Sequence, residues 1–499
     1  MIRELPDLAA TERLALELSL VARPGMAVLL SGDVGAGKSA FARAFIHALA
    51  SGAGGFDVPS PTFTLVQTYG ETRIPVAHAD LYRIKSDDEI DELGLEELLV
   101  SHLVLIEWPD RLARRLTADS LALDLETAGT GRRARLTASG AWTLAMQRVE
   151  AIADFLPSTS WACAERRFLE GDASSRRYEL LAQDGGTSIL MDMPARPDGP
   201  PVRDGKPYSQ VAHLAENISA VVGVNRQLAD FGYSAPGMFA FDVAKGLAVI
   251  EHLGERVYGR MMLADEDMRA PQRAAVELLA DMAVRDWPEA VAFAGGVHHV
   301  PPYDPAALAV EAELLTDWFW PYRFDAPISD AARAGFVETW GALLPFTQPA
   351  RRVWCLRDFH SPNLIWMPER AGLKRVGLID TQDAVRGHPA YDLASLLQDA
   401  RVTIPAETER ELLDLYCSLR KGFDEAEFRR AYAILGAQRA TKILGIFARL
   451  SKRDGKHGYL RHMPRVSGYL ERNLQHPALA ALRRWHEQNL PFAARLVAA

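Results

Sequence analysis

Two rhythms of apolar and polar residues run along the chain. In the first, short apolar runs alternate with helical stretches. Met26–Ser31 (MAVLLS) is continuously apolar and leads into a glycine-rich turn, which predicts a buried strand; Ser39–Ala50 follows with helical composition. Thr64–Tyr69 and Ile74–Ala79 read as strands. Ser86–Val100 reads as one helix, because Ser86 and Glu89 form a capping box and leucines recur at helical spacing. His102–Trp108 (HLVLIEW) has the pattern of a buried strand, Leu121–Glu126 and Arg133–Thr137 alternate as half-buried strands do, and Ala141–Phe155 returns to a helical period. Leu156–Ser160 is a breaker-rich link.

From about residue 161 the rhythm changes. Arg177–Gln183 and Thr187–Met193 predict a strand pair around the turn Asp184-Gly185-Gly186. Gln210–Phe231 reads as a helix, then Met238–Val243 and Leu247–His252 as two strands. Beyond residue 255 the pattern is mostly helical, interrupted at Val353–Asp383. The Pro/Gly-rich Arg196–Lys206 predicts a loop. The expected organisation is an α/β domain at 1–155 and a second domain at 156–499, with a small β-rich lobe at about 161–254 and a helical lobe at about 255–499.

Composition narrows the functions. Of 499 residues 48% are hydrophobic and 24% charged, as in ordinary globular domains. There are 56 Lys+Arg against 65 Asp+Glu, a net charge of -9, which argues against unaided nucleic-acid binding by charge. Three scattered cysteines (Cys163, Cys355, Cys417) suit neither a disulfide framework nor a zinc site and fit a reducing, cytoplasmic setting. Met1–Ala10 carries Glu4 and Asp7 and lacks a signal-peptide pattern, and no apolar run approaches the roughly 20 residues that cross a bilayer. No membrane association is expected.

The first chemical constellation is Gly32-Asp33-Val34-Gly35-Ala36-Gly37-Lys38-Ser39, which fits G-x-x-x-x-G-K-[ST] between a strand and a helix. Glycines let backbone N–H groups turn inward on a phosphate, a helix N-terminus faces the anion, Lys38 reaches the outer phosphates, and Ser39 offers a hydroxyl to Mg²⁺. Asp80 and Glu107 each follow an apolar strand, where a nucleotide site holds Mg²⁺ or its water. Together with Ser60–Val66 (SPTFTLV), His78–Arg83 (HADLYR), Ile106–Pro109 (IEWP) and the late strand Gly129–Ala138, the motif resembles the TsaE family of bacterial ATPases. The resemblance implies a P-loop NTPase fold. It implies ATP hydrolysis in support of a complex, with TsaD- and TsaB-type subunits, that makes threonylcarbamoyladenosine in tRNA. It implies Lys38 and Glu107 as catalytic groups, Ser39, Asp80 and Glu107 around Mg²⁺ or the attacking water, and Thr62 and Thr64 on a switch-like segment. Contact with tRNA would come only through those partners.

The second constellation is Val353–Leu364, which contains D-x-x-x-x-N at Asp358 and Asn363, followed by Asp380 after the apolar run Val376–Ile379. Phosphoryl transfer from ATP needs a carboxylate for the acceptor hydroxyl, and an amide and an acid for Mg²⁺. With Gly171–Tyr178 (GDASSRRY), Leu190–Pro194 (LMDMP), Gly387–Leu393 (GHPAYDL) and Met463–Arg472, the region resembles the aminoglycoside-phosphotransferase-like kinases, and within them the AmgK-type kinases of N-acetylmuramate and N-acetylglucosamine. The resemblance implies a two-lobed, protein-kinase-like α+β fold and phosphorylation of the anomeric hydroxyl of an amino sugar in cell-wall recycling. It implies Asp358 as catalytic base, Asn363 and Asp380 as Mg²⁺ ligands, and Ser174, Ser175, Arg176 and Arg177 over the phosphates. Glu251–Leu253 would form the hinge beside adenine, with Glu251 and Leu253 as nucleotide contacts.

This sequence departs from the general kinase pattern at three places. No lysine stands in Leu190–Asp192, where Met191 takes the slot; Arg176 or Arg177 is the candidate replacement. Leu356 stands where histidine is common, and Thr381 where an aromatic is common. A scaffold pseudokinase, or a kinase for an aminoglycoside, choline or homoserine, stays open, as does a nucleotide-dependent binding module for the first domain. His298-His299 lacks a ligand partner at metal spacing and is expected in a loop; Trp318 and Trp320 are expected to pack in a core.

Overall fold

The computed structural model describes residues 1–50, 56–112, 119–169, 176–195 and 199–496, and of Asp87 the backbone alone. The chain divides into two compact units, Met1–Leu190 and Met191–Ala499.

The first elements are β1 (Ile2–Leu5), α1 (Leu8–Val21), β2 (Ala27–Ser31), α2 (Lys38–Leu49), β3 (Val66–Tyr69), β4 (Val76–Asp80), α3 (Asp87–Asp91), α4 (Leu95–Leu99), β5 (Leu103–Glu107), β6 (Ser120–Ala128), β7 (Gly131–Ala138) and α5 (Ala141–Phe155). Seven strands form one sheet in the order β1-β7-β6-β2-β5-β4-β3. β2 runs parallel to β5 and β6, and β4 parallel to β5, while β3, β7 and β1 join antiparallel. The continuous apolar pattern of β5 has a simple cause. Leu103 and Leu105 enter one core with Phe41, Phe45 and Trp142, and Val104 and Ile106 enter a second with Leu81, Ile90 and Leu95. Both faces are covered, so nothing in the strand needs to be polar.

The helix expected over 86–100 is two helices. Ser86 does cap α3 by accepting from Glu89 N, but Gly94 takes φ +62 and restarts the chain as α4. The break lets Ile90 and Leu95 both turn into the second core. β1 escaped the sequence reading because four residues carry almost no periodic signal; its pairing with β7 defines it.

The chain continues with β8 (Glu165–Leu169), β9 (Arg177–Gln183), β10 (Gly186–Asp192), β11 (Pro201–Arg203), β12 (Lys206–Pro207), α6 (Tyr208–Val211), α7 (Ser219–Asp230), β13 (Met238–Asp242) and β14 (Leu247–Glu251). A five-stranded sheet has the order β13-β14-β10-β9-β8. The β9–β10 turn is the expected one, with Asp184 at φ +50 and Gly185 at φ +76, the pair of positive values that a tight hairpin requires. The helix expected over 210–231 is also broken. His213 adopts φ +53, and Asn217 Oδ1 accepts from Ser219 N at 3.0 Å to open α7 afresh.

Thereafter come α8 (Tyr258–Leu263), α9 (Arg269–Met282), β15 (Ala290–Phe293), β16 (Gly296–His299), α10 (Pro305–Ala312), α11 (Trp320–Phe324), α12 (Asp330–Leu343), β17 (Val353–Cys355), β18 (Leu364–Trp366), β19 (Val376–Leu378) and β20 (Val385–Gly387). The last helices are α13 (Ala390–Leu397), α14 (Ala406–Leu419), α15 (Glu425–Asp454), α16 (Met463–Leu474), α17 (Ala480–Asn489) and α18 (Phe492–Arg495). Contrary to the loop expectation, His298 and His299 lie on β16, paired antiparallel with Val291 and Ala290. Gly223 on α7 makes room for this strand, since a Cβ there would stand 2.8 Å from the Cβ of His298. Trp318 and Trp320 are half-buried; Phe319 between them is the fully buried residue. The 30-residue α15 is the axis of the helical part. Asp424 caps its start and Gly455 at φ +66 ends it, and it carries the buried Gln438 and Arg439 and the half-buried Lys442 toward the second site. Among the described residues no helix is long and apolar enough to cross a membrane.

Candidate active sites

At the first site β2 delivers the chain into the Gly32–Ser39 loop. Gly32 sits at φ +132, and a Cβ there would be 2.3 Å from the carbonyl of Leu125, so no side chain fits. Gly35 and Gly37 are also at positive φ, with open space on the side a Cβ would take. Lys38 opens α2 and is buried; its Nζ donates to the carbonyls of Gly32 at 2.7 Å and Asp33 at 2.9 Å and lies 3.7 Å from the centre of the Trp108 ring. Burial lowers the Lys38 pKa, partly opposed by Glu107, Asp80 and Asp33.

The parallel register of β4 and β5 sets Asp80 beside Glu107. Ser39 Oγ donates to Glu107 Oε2 at 2.9 Å, and the buried His78 Nε2 stands 3.0 Å from Glu107 Oε1. Asp80 Oδ2 accepts from Thr62 Oγ1 at 2.8 Å and Ser60 Oγ at 3.3 Å, while its Oδ1 accepts from Tyr82 N at 3.0 Å. Arg132 at the start of β7 donates to the carbonyls of Ala36 at 3.0 Å and Gly35 at 3.1 Å, bracing the loop from behind.

The second site is built on paired two-stranded ribbons. β17 delivers Arg357 at φ +66 and then Asp358; β19 delivers Asp380 at φ +60. The β18–β19 register and the bond from Ile379 N to Asn363 O at 3.1 Å bring Asn363 and the Asp380 turn together. Asn363 Nδ2 donates to the Asp358 carbonyl at 3.0 Å. The Asp392 carboxylate accepts from Leu356 N at 2.6 Å and Arg357 N at 2.9 Å, and Asp399 Oδ2 accepts from Ser361 N at 2.7 Å. Two buried carboxylates therefore clamp the loop backbone from below.

Burial by itself would raise the Asp358 pKa, but His360, Lys442, Arg439 and Arg357 outweigh it and hold the carboxyl at about 2. His360 is pushed to about 4 by burial and Arg401. Arg439 lies 3.1 Å from its Nδ1 and Asn363 Nδ2 lies 3.2 Å from its Nε2. Beneath the loop Arg357 pairs with the fully buried Glu311, which also binds Lys442 Nζ at 2.7 Å and the Tyr303 hydroxyl. Burial opposes ionisation of Glu311, yet Lys442 and Arg357 hold its pKa below the usual value.

Met191, read as standing in the lysine slot, lies on β10 and is buried. On α7 Asn225 is buried and accepts from Thr381 Oγ1 at 2.6 Å, which ties the residue after Asp380 to that helix. Glu251 ends β14 with both oxygens engaged, by Arg370 at 2.7 Å and Gly237 N at 3.1 Å. Leu253 packs with Ile365 and Met367 in a small apolar cluster.

These geometries agree with comparison to known proteins. The profile of the phosphotransferase enzyme family matches residues 165–432, more than half of the chain. The chain belongs to that family. An N-acetylmuramate/N-acetylglucosamine kinase of Caulobacter vibrioides is 37% identical over 362 residues, 71% of this chain and 99% of that one. The Pseudomonas aeruginosa protein of the same description is 29% identical over 62% of this chain and 84% of its own. The profile of threonylcarbamoyl adenosine biosynthesis protein TsaE matches residues 5–135. The Rickettsia felis protein of that description is 41% identical over 25% of this chain and 71% of its own, so the N-terminal part belongs to the TsaE family. The chain is an ATP-using enzyme with two family memberships.

Within this phosphotransferase-family enzyme the sequence-predicted residues fall into two groups. Gly32–Ser39, Asp80 and Glu107 gather at one site; Asp358, Asn363 and Asp380 gather at the other. Ser174 and Ser175 lie outside the described residues. Arg176 and Arg177 precede and begin β9, and Arg177 lies close enough to Arg73 to add to the burial that lowers the Arg73 pKa to about 10. Sequence reasoning missed His78, Arg132, Asn225, Glu311, Arg439 and Lys442. His78 and Arg132 lay inside quoted segments, His78–Arg83 and Gly129–Ala138; the others lie far from any motif. As for a divalent cation, both donor sets are hydroxyl, amide and carboxylate oxygens, which suit Mg²⁺. Among the described residues no group of three His, Cys, Asp or Glu could hold an ion unaided. One or two carboxylates plus phosphate oxygens is the usual share a protein supplies to Mg²⁺ carried by a nucleotide.

Proposed function

We propose that the chain joins two ATP-dependent activities in domains spanning 1–155 and 156–499. The C-terminal domain phosphorylates the anomeric hydroxyl of N-acetylmuramate or N-acetylglucosamine. The N-terminal domain is the ATPase subunit for tRNA threonylcarbamoyladenosine formation and works with TsaD- and TsaB-type partners. One observation carries the kinase reading. Asp358 stands on a loop clamped by Asp392 and Asp399, with Asn363 bonded to its carbonyl and the Asp380 turn bonded to Asn363. In the reaction the hydroxyl oxygen bonds to the γ-phosphorus, the bond to the ADP oxygen breaks, and Asp358 receives or orients the hydroxyl proton.

Asn363 and Asp380 would hold Mg²⁺ at this site, and Ser39 with Asp80 and Glu107 at the other. Bound Mg²⁺ offsets charge on the phosphate oxygens. At the first site Glu107, oriented by His78, and Asp80, oriented by Thr62, are the groups able to position a water.

The test is a substrate panel on the full chain with ATP, read by product mass: N-acetylmuramate, N-acetylglucosamine, an aminoglycoside, choline and homoserine. Phosphate is expected on the two amino sugars at the reducing end. Transfer to choline or an aminoglycoside alone overturns the sugar reading, and ATP binding without transfer to any acceptor establishes the scaffold. ATP hydrolysis measured with and without TsaD- and TsaB-type proteins tests the first half; a rate indifferent to them refutes it.

A further inference from the structure

Two histidines at the flank of the kinase loop sit among guanidiniums. His360 Nδ1 lies 3.1 Å from Arg439 Nη2. His462 Nδ1 lies 3.3 Å from Arg465 Nη1, and its Nε2 lies 3.4 Å from Arg461 Nε. Arg401, in the turn after α13, acts on both rings. It follows burial as the chief cause that lowers the His360 pKa; burial, then Arg461, Arg465 and Arg401, pushes His462 to about 4. The two rings thus report a single patch of positive potential.

Little acid stands against this patch. Arg461 is exposed and makes no ion pair among the described residues. Arg465, on α16, makes none there either; its other bonds go to the Ala400 carbonyl at 2.8 Å and Thr403 Oγ1 at 2.9 Å. Arg439 is 4% exposed, makes no ion pair among the described residues, and its Nε has no acceptor. The carboxylate felt by both histidines is Asp399. Its oxygens accept from the N–H groups of Ser361 at 2.7 Å, Arg401 at 2.7 Å and Val402 at 3.4 Å. Asp399 therefore ties the patch to the catalytic loop, three residues beyond Asp358.

Like charges gathered in this way repel one another. Acids are not scarce in a chain with 65 Asp+Glu and a net charge of -9, yet none is bonded to Arg461 or Arg465. Guanidiniums turned toward one another suit an arriving oxyanion, because the planar fork can donate two parallel N–H bonds to a carboxylate or a phosphate.

We propose that Arg401, Arg461 and Arg465 form a binding site for a small carboxylate or phosphate anion beside the kinase loop. Two sources supply that chemistry: an acidic group carried on the acceptor, or a separate small anion that acts on the loop through Asp399.

The experiment uses the full chain, with labelled D-lactate and inorganic phosphate as probes in equilibrium dialysis. The variants are Arg461→Ala, Arg461→Glu and Arg465→Gln. Arg453→Ala is the control, since Arg453 lies in the same basic stretch but pairs with Asp454 at 2.7 Å. Melting curves establish folding, and the exposed Arg461 keeps the test open if Arg465→Gln does not fold. D-lactate binding should weaken about tenfold in Arg461→Ala and Arg465→Gln, vanish in Arg461→Glu and stay unchanged in Arg453→Ala. The P-loop also offers phosphate a place, so phosphate is read as each variant's difference from wild type. No D-lactate binding by the wild type, equal binding in the Arg461 variants, or an equal loss in Arg453→Ala overturns the site. Kinetics then assign the source. If the anion belongs to the acceptor, Arg461→Ala raises the KM of N-acetylmuramate and not that of N-acetylglucosamine, and D-lactate competes with the first sugar alone. If it is separate, D-lactate or phosphate shifts kcat with both sugars alike, and Arg461→Ala removes the shift. Dialysis requires no transfer, so a wild type that phosphorylates neither sugar sinks the sugar-kinase reading and leaves the anion site to be decided by binding.

Discussion

The two nucleotide sites of this chain solve the same problem with different materials. The P-loop site is made of backbone. Glycines at positive φ open the loop, the start of α2 closes it, and the side chains that matter sit on adjacent strand ends, Asp80 beside Glu107. The kinase site is made of buried charge. Asp358 is held ionised by His360 and Arg357 of its own loop and by Lys442 and Arg439 of α15, Glu311 fixes Arg357 from α10, and Asp392 and Asp399 hold the loop N–H groups. A backbone-built site is contiguous in sequence and self-contained. A charge-built site is assembled from distant residues, so it is more sensitive to any one of them and more exposed to the stability of the whole domain.

The sharpest way to break this contrast is a crossed pair of variants. Lys38→Ala should abolish ATP turnover by the N-terminal site and leave sugar phosphorylation intact. Asp358→Asn should cut sugar phosphorylation by about 10²–10⁴-fold and leave the N-terminal turnover alone. Steady-state rates of both activities in each purified variant give the answer. Loss of both activities in either folded variant would show that the sites are one machine.

Next in size is Glu311→Gln. The change keeps shape and removes the one negative charge between Arg357 and Lys442, leaving two buried cations uncompensated. Breaking a buried pair in this way typically costs about 3–5 kcal/mol. The expected readout is an earlier denaturant midpoint for the kinase transition, with nucleotide binding by the P-loop unaffected. A midpoint equal to wild type would mean that the network is not what holds the catalytic loop.

The same contrast explains what was legible beforehand. The whole P-loop site could be read because Gly32–Ser39, Asp80 and Glu107 lie in runs whose local geometry dictates the chemistry. In the kinase half Asp358, Asn363 and Asp380 were legible for the same reason. Glu311 and Lys442 were not, since a lone acid on a short helix and a lysine on a 30-residue helix look like surface charges until packing buries them against Arg357. The two helices read as continuous, over 86–100 and 210–231, failed where single residues, Gly94 and His213, adopt positive φ under tertiary demand. For His213 no local sequence rule announces that conformation. Met191, read as standing in the lysine slot, is buried on β10, and what the sequence did not show is that Asn225 on α7 binds Thr381 and ties that helix to the Asp380 turn through a neutral pair.

A smaller, matched pair of changes compares the braces of the two sites. Arg132→Ala removes two bonds to the P-loop carbonyls of Ala36 and Gly35, and Thr381→Val removes the bond to Asn225 and leaves its oxygen unsatisfied. Bonds of this kind are worth about 1–2 kcal/mol. Each variant should raise the nucleotide requirement of its own site by about tenfold, with the other site unmoved. Nucleotide titrations by calorimetry distinguish the two; a change in kcat without a change in nucleotide affinity would assign the brace to chemistry and not to binding.

The smallest expected effect is in the pH profile of sugar phosphorylation, and it tests which carboxylate governs the loop. Asp358 is held at about 2 and His360 at about 4, so neither changes state between about pH 5 and 8. As pH falls, His360 takes a proton first, which sets a positive ring against Arg439; Asp358 loses its charge only further down. Sugar phosphorylation at saturating substrates should therefore be flat above about pH 5 and decline below it. Asp392 is the rival. Burial pushes its carboxyl up to about 7, partly opposed by the N–H groups of Leu356 and Arg357, so it would ionise within the working range. If its charge matters to the loop, kcat should show a limb with a midpoint near 7 that Asp392→Asn removes while Asp358→Asn does not. A flat profile in the wild type and in Asp392→Asn leaves the clamp a matter of geometry, with both carboxylate oxygens serving as acceptors whatever their protonation. A limb near 7 would instead make the clamp the titrating element of a site in which the Asp358 carboxyl, held at about 2, is already charged.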